Sequence, residues 1–136
     1  MSVGEGGVGF WLAVALGGAL GALLRAGLFR VVETLRPASR QLGAIALGPA
    51  RATLLANTLG CALLGWLSAA PPDSDAGLGR ALLALGACGS LTTFSTLCAD
   101  AIGFLERRER LNASVYLACT IGLGLAAWAT GLWLGR

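Results

Sequence analysis

Four apolar stretches, each long enough to cross a lipid bilayer, constrain the fold of this chain more than any other feature of its sequence. They lie at about residues 8–29, 51–70, 80–104 and 112–134. A bilayer core about 30 Å thick takes roughly 20 apolar residues per helix. The chain is 56% hydrophobic and only 12% charged, which is too little charge to cover a soluble domain. We therefore expect residues 1–136 to form one all-α integral membrane domain with four transmembrane helices.

The segments between these stretches contain turn signals and most of the charge. A turn rich in Pro, Asp and Gly occupies residues 71–80, and the charge cluster ERRER occupies residues 106–110;. Residues 41–50, QLGAIALGPA, are apolar but too short to span a membrane. They are expected to form an interfacial loop or a short helical lead-in.

The arginines outside the apolar stretches are distributed unevenly. Seven lie in two loops on one side of the membrane and two on the side of the termini: Arg30, Arg36, Arg40, Arg51, Arg107, Arg108 and Arg110 against Arg80 and Arg136. Cytoplasmic loops have such an excess of basic residues. The bias predicts a multi-pass protein of the cell inner membrane with both termini outside. It also explains the net charge of +3 without a nucleic-acid partner, because the arginines do not follow one polar face.

Glycine and cysteine both point to close helix packing. Gly17 and Gly21 have the four-residue spacing of small residues that lets membrane helices approach closely;. The four cysteines lie in apolar stretches without C-x-x-C spacing, and the chain has no histidine. They predict packing residues rather than a metal site built from side chains.

Five hydroxyl side chains are concentrated in GSLTTFSTL, residues 89–97: Ser90, Thr92, Thr93, Ser95 and Thr96. Gly86 and Gly89 lie just before them, and each mid-helix glycine weakens a helix by about 1 kcal/mol relative to alanine. The pattern predicts a break in the third transmembrane helix near Gly89–Thr92. Non-helical backbone at membrane depth is tolerated only where it is buried in protein or lines a cavity or ion site.

Other polar residues lie within the apolar stretches. Asn57 has an amide that must face a partner helix or water, and Tyr116 and Thr120 are four residues apart on one helical face. Arg25 is near the end of the first stretch, where its stem allows the guanidinium to reach the interface. Asp100 is expected to pair with an arginine of a neighbouring helix or to cap a helix end.

The predicted lining is neutral and rich in hydrogen-bond donors, which suits a small anion. Hydroxyl groups, the Asn57 amide and the positive edge of the Phe94 ring can replace an anion's hydration without holding it tightly. A cation channel would be expected to show acidic rings, and a proton-coupled transporter a carboxylate at the centre of a span. An enzyme is not expected, because no segment groups a nucleophile with a base.

Three motifs, one in each of the first three stretches, resemble those of the CrcB/Fluc family of fluoride channels. The chain has GGALGALLR at 17–25, NTLGCALLG at 57–65 and GACGSLTTFSTL at 86–97, similar to the family's GGxxGAxxRY, NxxGxFxxG and GxxGGxTTFSTF. The departures are Ala26, Ala62, Ser90 and Leu97. The resemblance implies a four-span protein whose antiparallel dimer exports fluoride passively and so relieves its toxicity.

The resemblance also implies roles for individual residues. It implies a fluoride pore lined by Asn57, Phe94, Ser95, Thr96, Tyr116 and Thr120, with Arg25 at a vestibule. It further implies a structural sodium ion held by the backbone carbonyls of Gly89 and Thr92 at the two-fold axis of the dimer. Asp100 occupies the place of a family glutamate.

Leu97 stands where the family has its second pore phenylalanine, so the second aromatic contact for fluoride is missing. A homodimer would carry this defect in both pores. The arginine bias fixes one orientation in the membrane, whereas an antiparallel homodimer needs one sequence to insert both ways. We therefore expect a heterodimer with a homologous second subunit of opposite topology.

Two other classes of membrane protein are alternatives to a fluoride channel. Exporters of the small multidrug-resistance type also have four spans, but they depend on a glutamate in the first span, and residues 8–25 contain none. The other alternative is a noncatalytic membrane subunit whose polar residues only hold helices together. It predicts that Asn57→Ala and Phe94→Ala alter assembly without a fluoride phenotype.

Overall fold

The structure is a computed structural model that describes residues 7–35, 47–48, 50–69 and 77–136. Its four membrane-length helices are the first helix, Val8–Thr34, the second helix, Ala50–Ala69, the third span, Gly77–Glu106, and the fourth helix, Arg110–Leu134. All four are long and apolar enough to cross a bilayer, which confirms the predicted all-α, four-span fold. The turn predicted at 71–80 and the lead-in predicted at 41–50 lie largely outside the described residues, as do Arg36 and Arg40.

The third span is not one regular helix. It starts with an α-helical turn, Gly77–Arg80, continues as a π-helix, Ala81–Cys88, and returns to α-helix at Gly89–Leu91. Thr92 and Thr93 are extended, with ψ of 153° and 119°, and an α-helix resumes over Phe94–Glu106. The predicted break is therefore confirmed, and its non-helical residues are the two threonines, whereas Gly89 remains helical.

The first helix packs against the first half of the third span. The two backbones approach so closely that a Cβ added to Gly17 would overlap the Leu82 carbonyl oxygen, and one added to Gly86 would lie 2.6 Å from the Val14 carbonyl oxygen. Contact at this distance is possible only for residues without a side chain. The glycines of both segments thus set the separation of these helices.

The second and fourth helices form the other tightly packed pair. A Cβ on Gly65 would overlap the Trp128 carbonyl oxygen, and one on Gly131 would overlap the Ala62 carbonyl oxygen. Both helices cross the membrane in the same direction, because a single span separates them along the chain. Asn57, in helix Ala50–Ala69, faces the broken third span.

The interior is small, as expected for a membrane protein whose outer surface meets lipid. One buried cluster joins the second helix, the end of the third span and the start of the fourth helix: Ala50, Ala101, Phe104, Ala113 and Tyr116. Many leucines of the first helix remain exposed on the chain, among them Leu16, Leu20 and Leu23. Apolar side chains on that face are compatible with a lipid environment.

Candidate functional site

The break in the third span is held by the side chain of Asn57 from the second helix. Asn57 Oδ1 accepts the Thr93 N–H at 2.8 Å, and Asn57 Nδ2 donates to the Thr93 carbonyl at 3.2 Å. These bonds satisfy both polar groups of an extended residue, which would be costly to leave unpaired at membrane depth. The amide that the sequence singled out is therefore part of the support of the broken backbone.

Gly60, one helical turn after Asn57, brings the second helix against the same break. A Cβ added to Gly60 would overlap the Thr92 Cγ2 methyl group. Residues three apart lie on one face of a helix, so Asn57 and Gly60 meet Thr93 and Thr92 together. This contact explains the N-x-x-G spacing of the second motif.

The first helix reaches the third span through Ser90. Its hydroxyl lies 2.7 Å from the Gly18 carbonyl oxygen and 2.9 Å from the Gly86 carbonyl oxygen. Since a hydroxyl has one proton to donate, it bonds to one of these acceptors at a time. The three sequence motifs, one from each of the first three spans, thus converge within a few residues of the break.

The hydroxyl groups after the break form a connected cluster around Thr93. The Thr93 hydroxyl accepts the Thr96 N–H at 3.2 Å, the bond of an N-cap residue;. It also lies 3.2 Å from Ser95 Oγ and 3.0 Å from Thr96 Oγ1. Thr93 is 8% exposed, while Ser95 is exposed and Thr96 half-buried.

A groove of about 400 Å³ runs beside the break, between the second helix, the third span and the fourth helix. Its lining residues carry no charge. They are Asn57, Gly60, Cys61, Leu64, Ala84, Cys88, Gly89, Thr92, Thr93, Phe94, Leu97, Thr120 and Ile121. The Phe94 side chain is 79% exposed. The groove therefore offers donors and an aromatic ring on an otherwise apolar wall.

The groove brings together some of the candidate residues but not all. Asn57, Phe94 and Thr120 line it, as do Gly89 and Thr92, whereas Ser95 and Thr96 join it through Thr93. The Thr120 hydroxyl donates to the Tyr116 carbonyl in its own helix. Arg25 is half-buried in the first helix and is not among the lining residues.

Tyr116 is fully buried and faces Asp100 rather than the groove lining. The Asp100 carboxylate accepts the Tyr116 hydroxyl at 3.1 Å and the Thr53 hydroxyl at 2.7 Å through the same oxygen, Oδ2. Asp100 was expected to pair with an arginine or to cap a helix end, and among the described residues neither contact occurs. Two neighbouring hydroxyls satisfy the carboxylate instead.

Sequence reasoning missed the roles of Thr93 and Thr53. A threonine directly before an apolar helical run is an N-cap signal, and it marks Thr93 as the residue that restarts the helix. Thr53 carries no such local signal, because its partner Asp100 is distant in sequence. Only the packing of the second helix on the third span joins them.

The sequence matches known proteins along nearly its whole length. The family model described as "CrcB-like protein, Camphor Resistance (CrcB)" matches residues 12–132. A protein of Rhodococcus jostii named "Fluoride-specific ion channel FluC 2" is 40% identical over 91% of this chain and 93% of its own length. Proteins named "Fluoride-specific ion channel FluC" from Stutzerimonas stutzeri and from a Thermus thermophilus strain are 41% and 36% identical, covering 91% and 92% of this chain and 94% of each relative.

Proposed function

Because this chain belongs to the CrcB family, we propose that it is a subunit of a fluoride-selective ion channel that lets fluoride leave the cytoplasm. The observation that carries the proposal is the uncharged, donor-bearing groove at the break, where the family's motifs converge. An inside-negative potential drives an anion outward with about 2.3 kcal/mol per charge per 100 mV. The pore therefore needs selectivity and no chemical fuel.

Asn57 is the first proposed contact for fluoride. One of its two amide hydrogens bonds to the Thr93 carbonyl, which leaves the second free to donate to an anion in the groove. Phe94, exposed beside it, offers the positive edge of its ring;. Together they supply partial positive charge without a full cation, so that the anion can enter and also leave.

The remaining proposed pathway residues are Ser95, Thr96, Tyr116 and Thr120, with Arg25 at a vestibule. The hydroxyls of Tyr116 and Thr120 donate to acceptors of the protein, Asp100 and the Tyr116 carbonyl. A fluoride ion beside Thr120, which lines the groove, would compete with that carbonyl for the hydroxyl proton. Tyr116 is fully buried against Asp100 and would have to turn away from it to meet an ion. Arg25, which lies within the first helix nine residues before its end, would attract anions toward the groove.

The backbone around the break fits the sodium ion proposed for the family. The Thr93 N–H donates to Asn57, so the Gly89 carbonyl lacks the donor that it would have four residues later in a regular helix. Thr92 is extended, with ψ of 153°, so its carbonyl lies outside the helix. Carbonyls freed by an unwound membrane helix are suited to coordinate Na⁺. We propose that Gly89 and Thr92 hold a structural sodium ion, which would stabilise the broken segment. Thermal unfolding that is unchanged when choline replaces sodium would contradict this.

The groove requires a second subunit to become a pore. In the single subunit the groove is open to the surroundings. The extended Thr92–Thr93 backbone and the exposed Phe94 ring would therefore contact lipid unless another protein packs over them;. We propose that an antiparallel partner covers it. Seven arginines lie in the two proposed cytoplasmic loops or at the helix ends that flank them, and two lie on the opposite side. The partner we propose is therefore a homologous subunit of opposite topology rather than a second copy.

The function is tested by fluoride efflux from liposomes under an inside-negative potential, with this chain alone, the partner alone, and both together. We expect fluoride but not chloride efflux from the mixture, and little from this chain alone. Full flux from the purified chain alone would contradict the heterodimer but keep the channel. No fluoride flux from any of the three would contradict the channel.

A further inference from the structure

Thr93 occupies the centre of the hydroxyl cluster, although its side chain is almost fully buried. Its hydroxyl has three neighbours within hydrogen-bonding distance: the Thr96 N–H at 3.2 Å, Ser95 Oγ at 3.2 Å and Thr96 Oγ1 at 3.0 Å. The backbone of the same residue is held by Asn57. Thr93 is thus fixed at both its main chain and its side chain.

The number of protons limits what this cluster can do. A hydroxyl donates one hydrogen bond and accepts up to two. The Thr96 N–H takes one of the two acceptor positions on Thr93 Oγ1, so one acceptor position and one proton remain for Ser95 and Thr96. If both bonds are made, one of these two hydroxyls donates to Thr93 and the other accepts from it.

The hydroxyl that accepts from Thr93 keeps its own proton free. Ser95 is exposed on the chain and Thr96 half-buried, so a proton released there can point toward an ion beside the third span. Rotation of the Thr93 hydroxyl exchanges which neighbour is released. This exchange breaks no covalent bond and moves no backbone atom.

We propose that Thr93 is a positioning residue of the fluoride pathway, whose hydroxyl holds those of Ser95 and Thr96 so that one of them at a time donates its proton to the passing anion. The inference rests on the proposed function and assigns a role to a residue outside the proposed pore contacts. An N-cap alone requires only an acceptor at this position. The proposal requires the hydroxyl proton as well.

The test compares Thr93→Val, which keeps the shape and removes the hydroxyl, with Thr93→Ser, which keeps the hydroxyl. The channel is reconstituted with its partner, and fluoride efflux, chloride efflux and thermal unfolding are measured. We expect Thr93→Val to reduce fluoride flux about tenfold or more, because the neighbouring hydroxyl that Thr93 positions then loses its hydrogen bond to the charged anion. Thr93→Ser should restore most of that flux. Thr130→Val is the matched control, because Thr130 is an exposed threonine whose hydroxyl bonds within its own helix.

A double-mutant cycle separates positioning from capping. In a background of Ser95→Ala and Thr96→Val, Thr93→Val should cause little further loss of flux, because its partners are gone. The loss of the N-cap should lower stability equally in both backgrounds, since the Thr96 N–H remains.

Three results would overturn the proposal: a Thr93→Val flux within about twofold of wild type, well below the loss expected for a charged hydrogen bond, an equal flux loss in both backgrounds, or a loss that Thr93→Ser does not relieve. All three results are compatible with normal fluoride flux through the wild-type channel, so they would overturn only the role of Thr93. Absence of fluoride flux from the wild-type channel would instead contradict the proposed function.

Discussion

The amide of Asn57 binds Thr93 through both of its polar atoms, at 2.8 Å to the N–H and 3.2 Å to the carbonyl oxygen. Because the Thr93 N–H can only be accepted by an oxygen, this pair of bonds fixes which way the amide points. The second Nδ2 hydrogen is then the one that remains for an anion. In the proposed channel, one side chain would therefore both support the break and donate to fluoride.

Asn57→Asp should abolish fluoride flux while preserving most of the fold. The carboxylate keeps an acceptor for the Thr93 N–H, but it removes the donor and places a negative charge in the groove. Asn57→Ala should lose flux and also stability, about 1–3 kcal/mol for each Thr93 group left unpaired. Liposome efflux and thermal unfolding measure the two effects.

The control is Asn112→Ala, since Asn112 lies in the first turn of the fourth helix and donates to Glu109. Its flux should equal that of wild type. Wild-type flux through Asn57→Asp would contradict a donor role for this amide.

Gly17→Ala should destabilise the protein, whereas Gly18→Ala should be tolerated. A Cβ at Gly17 would overlap the Leu82 carbonyl oxygen, which is backbone and cannot move aside, while a Cβ at Gly18 meets nothing within 4 Å. Alanine at Gly18 should even gain up to about 1 kcal/mol of helix propensity. Unfolding in detergent measures both, and equal stability of the two variants would show that the first helix does not pack as described.

Leu97→Phe should raise fluoride flux. Leu97 lines the groove near Phe94, and a ring there would add the aromatic edge that the motif lacks. An aromatic contact of about 0.5–1.5 kcal/mol corresponds to roughly two- to tenfold in rate. Leu105→Phe, at an exposed position of the same helix, should leave flux unchanged. A lower flux in Leu97→Phe would contradict the idea that an aromatic ring at this position favours fluoride in this pore.

Asp100→Ala should destabilise the end of the bundle where the fourth helix begins. It would leave the hydroxyls of Thr53 and Tyr116 without an acceptor, and neither residue is exposed at all. The expected cost is about 1–3 kcal/mol per orphaned donor. Asp100→Asn keeps an acceptor oxygen and should lose less.

Glu106→Ala serves as the control for this cluster, because Glu106 is exposed at the end of the same helix. It should unfold like wild type. If Asp100→Ala is as stable as Glu106→Ala, the two hydroxyls find other acceptors.

The four spans were predictable because their signal is local. Each is a run of apolar residues whose length matches the bilayer, and any helix of that composition satisfies its own backbone in lipid. The break was predictable for a related reason, since hydroxyls and glycines gather at one point of the third span. Its position beyond the glycines, at the two threonines, depended on the N-cap of Thr93 and the amide of Asn57.

Which candidates face the groove was not predictable by helical spacing. Ala81–Cys88 is wound as a π-helix, and Thr92 and Thr93 are extended. Both change the rotation of every later residue relative to a regular helix. Ser95 and Thr96 therefore lie around Thr93, and Asp100 turns inward to Thr53 and Tyr116.

Residence in a membrane, the number of crossings and a break near Gly89–Thr92 follow from the order of the amino acids alone, because length, hydropathy and backbone propensity act over a few residues. The contacts of Asn57 with Thr93, of Gly60 with Thr92 and of Tyr116 with Asp100 depend instead on how the helices pack. Those pairs join residues from different helices, and their geometry depends on backbone separations set by glycines that contact other helices.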